Sequence, residues 1–504
     1  IPIPGGDRTS ATSDGIINDK VVMKFYRNGS HKPYPVFNGG GVNEAVALEG
    51  DNQLLKSSSG DLTILEPNLV SPAFGKVAYI GYDYNSGWLV GDTKVATLSD
   101  TSTTSATSPD LVTNGSNFSN TTGWTGHSTT VSVSSSELLV TGTATINSNQ
   151  SAAWTTISCT AGDQFQVTFR ISAFVANQSS AGIIVGGATI HKNNDAGYWY
   201  PNSIGTHTTT VTATSSTFTL YLHAGISVGV VTRFDDISIH KLQHDRSQYK
   251  HGFQTFGTLP KSVVATGAEL VGYGPFSASN YLQQSYTSEL DFNSGDFAYC
   301  FWSNNSHTGS NYICDRAEGN GNYRIAIYLT ATPEVAFYTR DGAATEVAAN
   351  IDTPNQWTQI WCIRRGTSHE IWVNGVNKVA TIASVRDVSY ASGDAVQRIG
   401  TRYNGNGPNT GKIALFRVSA TAPSPEQIVK IYNDERKLFE INSDATMGGS
   451  SSAATVLAYD DVREEIHVGS SWGRSVFQGL SRVGFDSDVP TASLSVNDGF
   501  VVEE

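Results

Sequence analysis

The chain has 504 residues, enough for roughly three or four domains. Its 45 acidic residues outnumber 32 basic ones and no Lys/Arg block occurs, which excludes nucleic acid and anionic membrane as expected partners. With 39% hydrophobic and 10% aromatic residues and 49 glycines, it is expected to form many short strands joined by polar turns, and no apolar run approaches the ~18 residues of a membrane helix.

Residues 1–13 are rich in Pro, Gly and Ser and read as an arm. The chain starts at Ile1 rather than Met, so an upstream segment is expected, and no secretory leader pattern is visible. Residues 14–108 read as an N-terminal β module of short strands. Within it, Asp83-Tyr-Asn85-Ser-Gly87 opens like a calcium loop, but Lys94 stands where the last acidic ligand belongs, so a turn is expected. The low-complexity stretch 101–109 marks a boundary. Residues 109–242 then alternate apolar and polar with no helical period. Residues 243–275 return to the turn-rich style of the first hundred, so 109–242 reads as an insertion, with 98–100 close to 245–247.

Residues 276–440 carry the strongest signals. Trp357 to Arg364 and Glu370 to Val373 alternate, separated by Gly366-Thr367-Ser368 and followed by Asn374-Gly375, the signature of antiparallel strands and a tight turn. Alternation puts Trp357 and Trp361 on one face and Cys362 on the other. Ser424 reads as an N-cap, Pro425 as the first helical residue, and Ile428, Ile431 and Tyr432 as one helical face. Residues 441–504 form a β tail behind a Gly/Ser linker. Its 456–481 stretch shares a layout with 79–99, which suggests propeller-blade-like modules at the two ends. Cys159, Cys300, Cys314 and Cys362 form no metal-spaced cluster, and the last three lie in apolar runs expected to bury them as thiols.

Two ordered sets of residues resemble known families. In 276–440 the strand tryptophans, Ile371-Trp-Val-Asn-Gly375, Ile399-Gly400, Gly411-Lys-Ile413 and the terminal Ser424-Pro-Glu-Gln-Ile428 resemble the laminin-G-like, concanavalin-type β-sandwich. In 109–242 the opening Asn114-Gly115, Phe118 and Gly123-Trp124, with the closing Asp236, Ile237 and Ile239, resemble the jelly roll of carbohydrate-binding modules. The chain is therefore expected to be all-β and multidomain. Such jelly rolls often hold a structural calcium. Here Ser116, Asn117 and Ser119 replace the opening carboxylates, which leaves Asp236 as the calcium candidate, and no other cofactor is expected. The C-terminal tail and residues 245–282, combined with the laminin-G-like unit, resemble bacteriophage tail-fibre proteins. That resemblance implies a virion tail protein, a homo-oligomer of the trimeric kind, contacting other virion proteins and host surface glycans. The alternatives are a cell-surface or secreted polysaccharide-binding protein, and an assembly protein without a glycan site.

No catalytic motif is present. The strand with three acids that catalytic concanavalin-type enzymes carry has no counterpart, Glu289 and Asp291 being the nearest pair, so no reaction is expected. Glycan recognition needs aromatic faces for sugar C–H groups and amides or guanidinium groups for hydroxyls. Tyr198, Trp199, Tyr200 and Asn202 supply both, next to Asn193, Asn194 and Asp195, and alternation sends Trp199 to the face opposite its neighbours. Trp124 and Trp154 read as core. In 276–440 the candidates, read as loop residues at the rim, are Arg316, Arg340, Tyr403 and Asn404, with solvated turn chemistry as the competing reading.

Overall fold

The structure is a computed structural model. It describes residues 61–66, 75–143, 152–174, 181–191, 197–225, 227–306, 309–351, 355–390, 395–460, 462–489 and 500–501, and the backbone of short strands at 16–17, 20–21, 34–36, 44–47, 54–57, 494–497 and 502–503. The arm at 1–13 and the residues Asn193, Asn194 and Asp195 lie outside the described residues. Among these the fold is all-β apart from one α-helix and short 3-10 turns. No helix among them is long and apolar enough to cross a membrane.

The stretch around Trp361 sits at the centre of an eight-stranded sheet. Phe297–Asn304 lies between Lys412–Ser419 and Thr358–Arg365, and Ser368–Val373 follows. These strands are buried on both faces, so alternate residues enter different cores. Phe297, Tyr299, Phe301, Ile360 and Cys362 face one core. Ala298, Cys300, Trp302, Trp361 and Trp372 face a second. The hairpin after Val373 turns on Asn374 and Gly375, both at positive φ (51° and 77°), as a two-residue turn with the twist of its strands requires.

The first core is closed by a second sheet, in which Tyr281–Gln284, Val396–Ile399, Asn311–Ala317, Tyr323–Leu329, Glu334–Asp341 and Ala344–Asn350 pair in that order. Together the two sheets make the concanavalin-type sandwich. The second core, on the back of the eight-stranded sheet, is covered by three elements. One is the helix Pro425–Glu435, started by a complete Ser424/Gln427 capping box with Pro425 in its first turn. The others are the strands Leu62–Glu66 and Lys76–Ile80, and the meander Ala454–Asp460, Glu465–Ser470, Gly473–Gln478 and Ser481–Asp486. Thr93–Thr97 pairs directly with Lys412–Ser419 and so adds a strand to the sandwich itself.

The jelly roll has its own core, with Phe165, Phe169, Phe218, Leu220 and Phe234 among its buried residues. One of its sheets runs Thr125–His127, Ala152–Ser158, Thr217–His223, Gly182–Gly186 and Tyr198–Trp199. The facing sheet contains Gln164–Ala173 between Gly205–Ala213 and the long strand Val231–Gln243. The end of Val231–Gln243 pairs through Leu242 and Gln243 with Phe253–Phe256, which pairs in turn with Tyr281–Gln284. One hydrogen-bonded sheet thus passes from the jelly roll into the sandwich. Where the chain leaves and re-enters, the Ala96 N–H donates to Asp245 Oδ1 (2.8 Å) and the Arg246 N–H to the Ala96 carbonyl (2.7 Å).

The Asp83–Gly87 segment is a turn, with the Gly87 N–H donating to Asn85 Oδ1 at 3.0 Å. All four cysteines are free thiols, and Cys300, Cys314 and Cys362 are buried.

Candidate functional site

The five-stranded sheet of the jelly roll has one face in the core and one outside. Register and alternation decide which residue goes where. Ala153, Leu222, Ile183 and Trp199 lie side by side across four strands and face the core. The neighbouring row, on the outer face, is Trp154, Tyr221, Ile184 and Tyr198. Three of its four members are aromatic. At the usual strand spacing the row runs roughly 14 Å, longer than one sugar ring.

Tyr198 is 49% exposed, Trp154 and Tyr221 are half-buried, and Ile184 is buried between them. The Tyr221 ring lies over Gly186, where an added Cβ would come 3.4 Å from it. Tyr200 extends the row: its ring stacks on Tyr198 at 5.5 Å and lies 5.4 Å from His223, which is buried beneath. Burial, and then the neighbouring Tyr198, push the Tyr200 hydroxyl up to about 12, so it stays a neutral donor at physiological pH. Below the row, Thr156 and Thr219 exchange a hydroxyl hydrogen bond of 3.2 Å on the same face. Planar rings in line on a rigid sheet, with hydroxyls beside them, suit the C–H faces and hydroxyl edges of a sugar chain.

Trp199 is on the other side. It packs edge-on against Phe169 at 5.7 Å and against His207 at 5.7 Å, on the core side of the sheet and away from the row. Asn202 is exposed at positive φ (50°), and its Oδ1 accepts from the Ala181 N–H at 3.0 Å, which fixes the loop beside the row. Trp154, expected in the core, is instead the outer-face member nearest Thr125–His127, while Trp124 is core as expected. Alternation alone ties Trp154 to Thr156 on one face. It does not say which face is outside, and only the pairing with Tyr221, in the row that ends at the exposed Tyr198, decides it.

Asp236 lies at a break in the register between Val231–Gln243 and Gln164–Ala173, at positive φ (47°). Its Oδ2 accepts from Arg170 Nε at 2.8 Å, and Arg170 Nη2 donates to Asp235 Oδ2 at 2.5 Å. Arg170 thus occupies oxygens of both carboxylates and brings positive charge among them, which does not fit calcium, a cation that needs several free anionic oxygens around it. Among the described residues no group of three or more His, Cys, Asp or Glu could hold a metal ion.

The four candidates in the sandwich divide. Arg316 is not on a rim: it sits in Asn311–Ala317, 1% exposed, with Nη2 donating to Asp291 Oδ1 (2.7 Å) and its guanidinium 4.3 Å from the Tyr390 ring. The apolar environment holds it only because Asp291 pairs with it. Arg340 lies on the strand Glu334–Asp341, yet its Nη1 reaches the Gly321 carbonyl (3.5 Å), and a Cβ at Gly321 would lie 2.9 Å from the Tyr403 hydroxyl. Arg340 and Tyr403 therefore meet at Gly321. Asn404 is exposed beside them and its Oδ1 accepts from the Asn406 N–H at 3.2 Å, closing the turn that carries Tyr403. The acids Glu289 and Asp291 are both engaged, Glu289 with Thr287 and His251 and Asp291 with Arg316 and Tyr286.

The sequence model of the Concanavalin A-like lectin/glucanases superfamily (Laminin_G_3) matches residues 276–429, under a third of the chain. No curated protein matches. Among solved structures the chain is similar to the receptor binding domain of botulinum neurotoxin C/D mosaic serotype, at 11% identity and a TM-score of 0.33, covering 47% of this chain and 59% of that one. It is also similar to the Ruminococcus gnavus IT-sialidase CBM40, at 14% identity and a TM-score of 0.26, covering 28% and 84%. A third is domain 4 of AbnA, an extracellular arabinanase of Geobacillus stearothermophilus, in complex with arabinotriose, at 13% identity and a TM-score of 0.30, covering 38% and 92%. The chain thus spans less than two thirds of the first of these and most of the other two. Residues 276–429 form a concanavalin-type sandwich by strand order and by family match alike.

Proposed function

We propose that this chain is a lectin-like attachment protein that binds polysaccharide along the outer face of its jelly roll, without chemical turnover. The observation that carries this is the row Trp154, Tyr221, Ile184 and Tyr198, in register across four strands on the outer face of one sheet. Aromatic side chains left partly exposed in a line, Tyr198 most of all, cost hydration, and a sugar chain laid on them removes that surface from water. The setting that the sequence resemblance favours is a virion tail fibre, with the protein outside the cell, self-associated as a trimer and facing host glycans.

The test is a glycan array with the whole chain, followed by titration of the best ligand. Trp154→Ala and Tyr198→Ala should each weaken binding by at least tenfold while thermal unfolding stays within a degree or two. An array that stays blank, or binding unchanged in both variants, refutes the reading. Native mass measurement addresses the setting: a trimer supports the fibre, and a monomer favours a secreted or cell-surface polysaccharide-binding protein.

A further inference from the structure

The sandwich has a second outward face, chemically unlike the first. In the sheet that closes the first core, Ile325, Ile327, Val335 and Phe337 point inward, so their neighbours point out. On that outer side Arg324 stands directly opposite Arg340 in the register of Tyr323–Leu329 and Glu334–Asp341. Like charges directly opposite on one sheet face destabilise it. Only one of the two is compensated. Asp315, fully buried, accepts from Arg324 through both oxygens (2.7 and 2.8 Å), and Asp315 also accepts from the Tyr403 N–H (2.9 Å). Arg324 is further caged by the rings of Tyr312, Tyr338 and Tyr403, at 5.4–5.6 Å.

Two more guanidinium groups belong to the cluster. Arg402 lies 5.3 Å from the Tyr403 ring and 5.9 Å from the Tyr312 ring, and its buried Nε has no hydrogen-bond partner. Arg398 donates from Nε to Gln283 at 2.8 Å and lies 4.5 Å from the Tyr281 ring. Among the described residues none of Arg340, Arg398 and Arg402 has a carboxylate within ion-pair distance. The other carboxylates on this face, Glu334 and Glu346, sit towards the sheet edge, where Glu346 accepts from the Tyr328 hydroxyl at 2.9 Å. On a chain of net charge −13, four guanidinium groups thus share one face with tyrosine rings, where Asp315 is bonded to Arg324 and lies opposite Arg398 in register, and Arg340 and Arg402 have no ion pair among the described residues.

The geometry points to a second binding site here, for an anionic polysaccharide whose carboxylate or sulfate groups pair with Arg340 and Arg402 while its rings lie against Tyr403 and Tyr312. Planar guanidinium forks bind such oxyanions through two hydrogen bonds at once, and the tyrosines hold the forks in place before the ligand arrives. This inference goes beyond the aromatic row of the jelly roll and stands on different residues.

The experiment is titration of the whole chain with polygalacturonate, dextran sulfate and neutral dextran, at low and high salt, for the wild type, Arg340→Gln and Arg402→Gln. Expected is binding of at least one polyanion better than dextran, weakened by salt and at least tenfold weaker in each arginine variant. Arg340→Gln should also unfold no earlier than the wild type, since it removes a like-charge neighbour, so lost binding cannot be read as lost folding. Binding of polygalacturonate alone assigns carboxylate, of dextran sulfate alone sulfate, and of both an unselective anion site. Polyanions bound no better than dextran, or binding as tight as the wild type in both arginine variants, would each overturn the proposal.

Discussion

Glu435, at the end of the helix, is the buried charge on which the back of the sandwich depends. It is fully buried. Its Oε2 accepts from Trp302 Nε1 (2.9 Å), Gln359 Nε2 (3.0 Å) and Arg417 Nη2 (2.9 Å), and its Oε1 from the Trp88 N–H (2.9 Å) and Arg417 Nη1. One carboxylate so joins the N-terminal strands, the central sheet and the helix. It also explains Gly87, which is at positive φ and where a Cβ would come 2.8 Å from Glu435 Oε1. Glu435→Gln keeps the shape but leaves Arg417, 4% exposed, as an uncompensated buried charge, at a cost of about 3–5 kcal/mol. Glu435→Ala also orphans the Trp302 and Gln359 donors, at about 1–3 kcal/mol each, and so approaches the whole stability of a typical domain.

Urea unfolding followed by tryptophan fluorescence is the assay, because Trp88 and Trp302 border the carboxylate. At a slope of roughly 2–3 kcal/mol per molar, Glu435→Gln should lower the midpoint by more than about 1 M. The double variant Glu435→Gln/Arg417→Met should recover part of that loss, since neither charge is then left alone. A midpoint within about 0.3 M of wild type for Glu435→Gln would refute this reasoning.

Three further outcomes follow from the same contacts. Arg364 is fully buried and donates to the carbonyls of Gly295, Arg386 and Asn293 at 2.6–2.7 Å, and burial lowers its pKa to about 10; Arg364→Met should cost about 3 kcal/mol in urea unfolding by leaving those carbonyls unpaired. Trp199→Ala should destabilise the jelly roll by about 2–4 kcal/mol in the same assay, whereas Tyr198→Ala should leave stability unchanged and lose glycan affinity. Burial alone would raise the Asp163 carboxyl, but hydrogen bonds from His244, Lys241 and the Thr160 N–H outweigh it and hold the group down to about 2. A depressed carboxyl contributes stability that is complete above its unfolded value of 3.8 and is lost as pH falls through about 2, here about 2 kcal/mol, so Asp163→Asn should flatten the acid limb of the jelly roll's stability curve.

The sandwich was legible in the sequence where signals were local. Asn374-Gly375 needs positive φ at both positions, and Ser424-Pro425 with Gln427 supplies a full helix start, so these segments declare their own geometry. Alternation places Trp199 opposite Tyr198 and Tyr200, as the structure has it. What was hidden depends on partners distant along the chain. Trp154 looked like core because any lone tryptophan in a strand does, and only its register with Tyr221 puts it outside. Arg316 looked like a loop residue because charge seldom enters a strand centre, and its partner Asp291 is not adjacent. The facing of Arg324 and Arg340 follows from the register of one hairpin, which the sequence leaves open.

The central claim, that sugar lies along the outer row of the jelly roll, is tested most directly by hydroxyl-radical footprinting of the whole chain with and without its best array ligand. The account predicts that Trp154, Tyr198 and Tyr221 become protected together while Trp472, 52% exposed on the C-terminal meander, is oxidised as before. Protection that leaves all three untouched would contradict it.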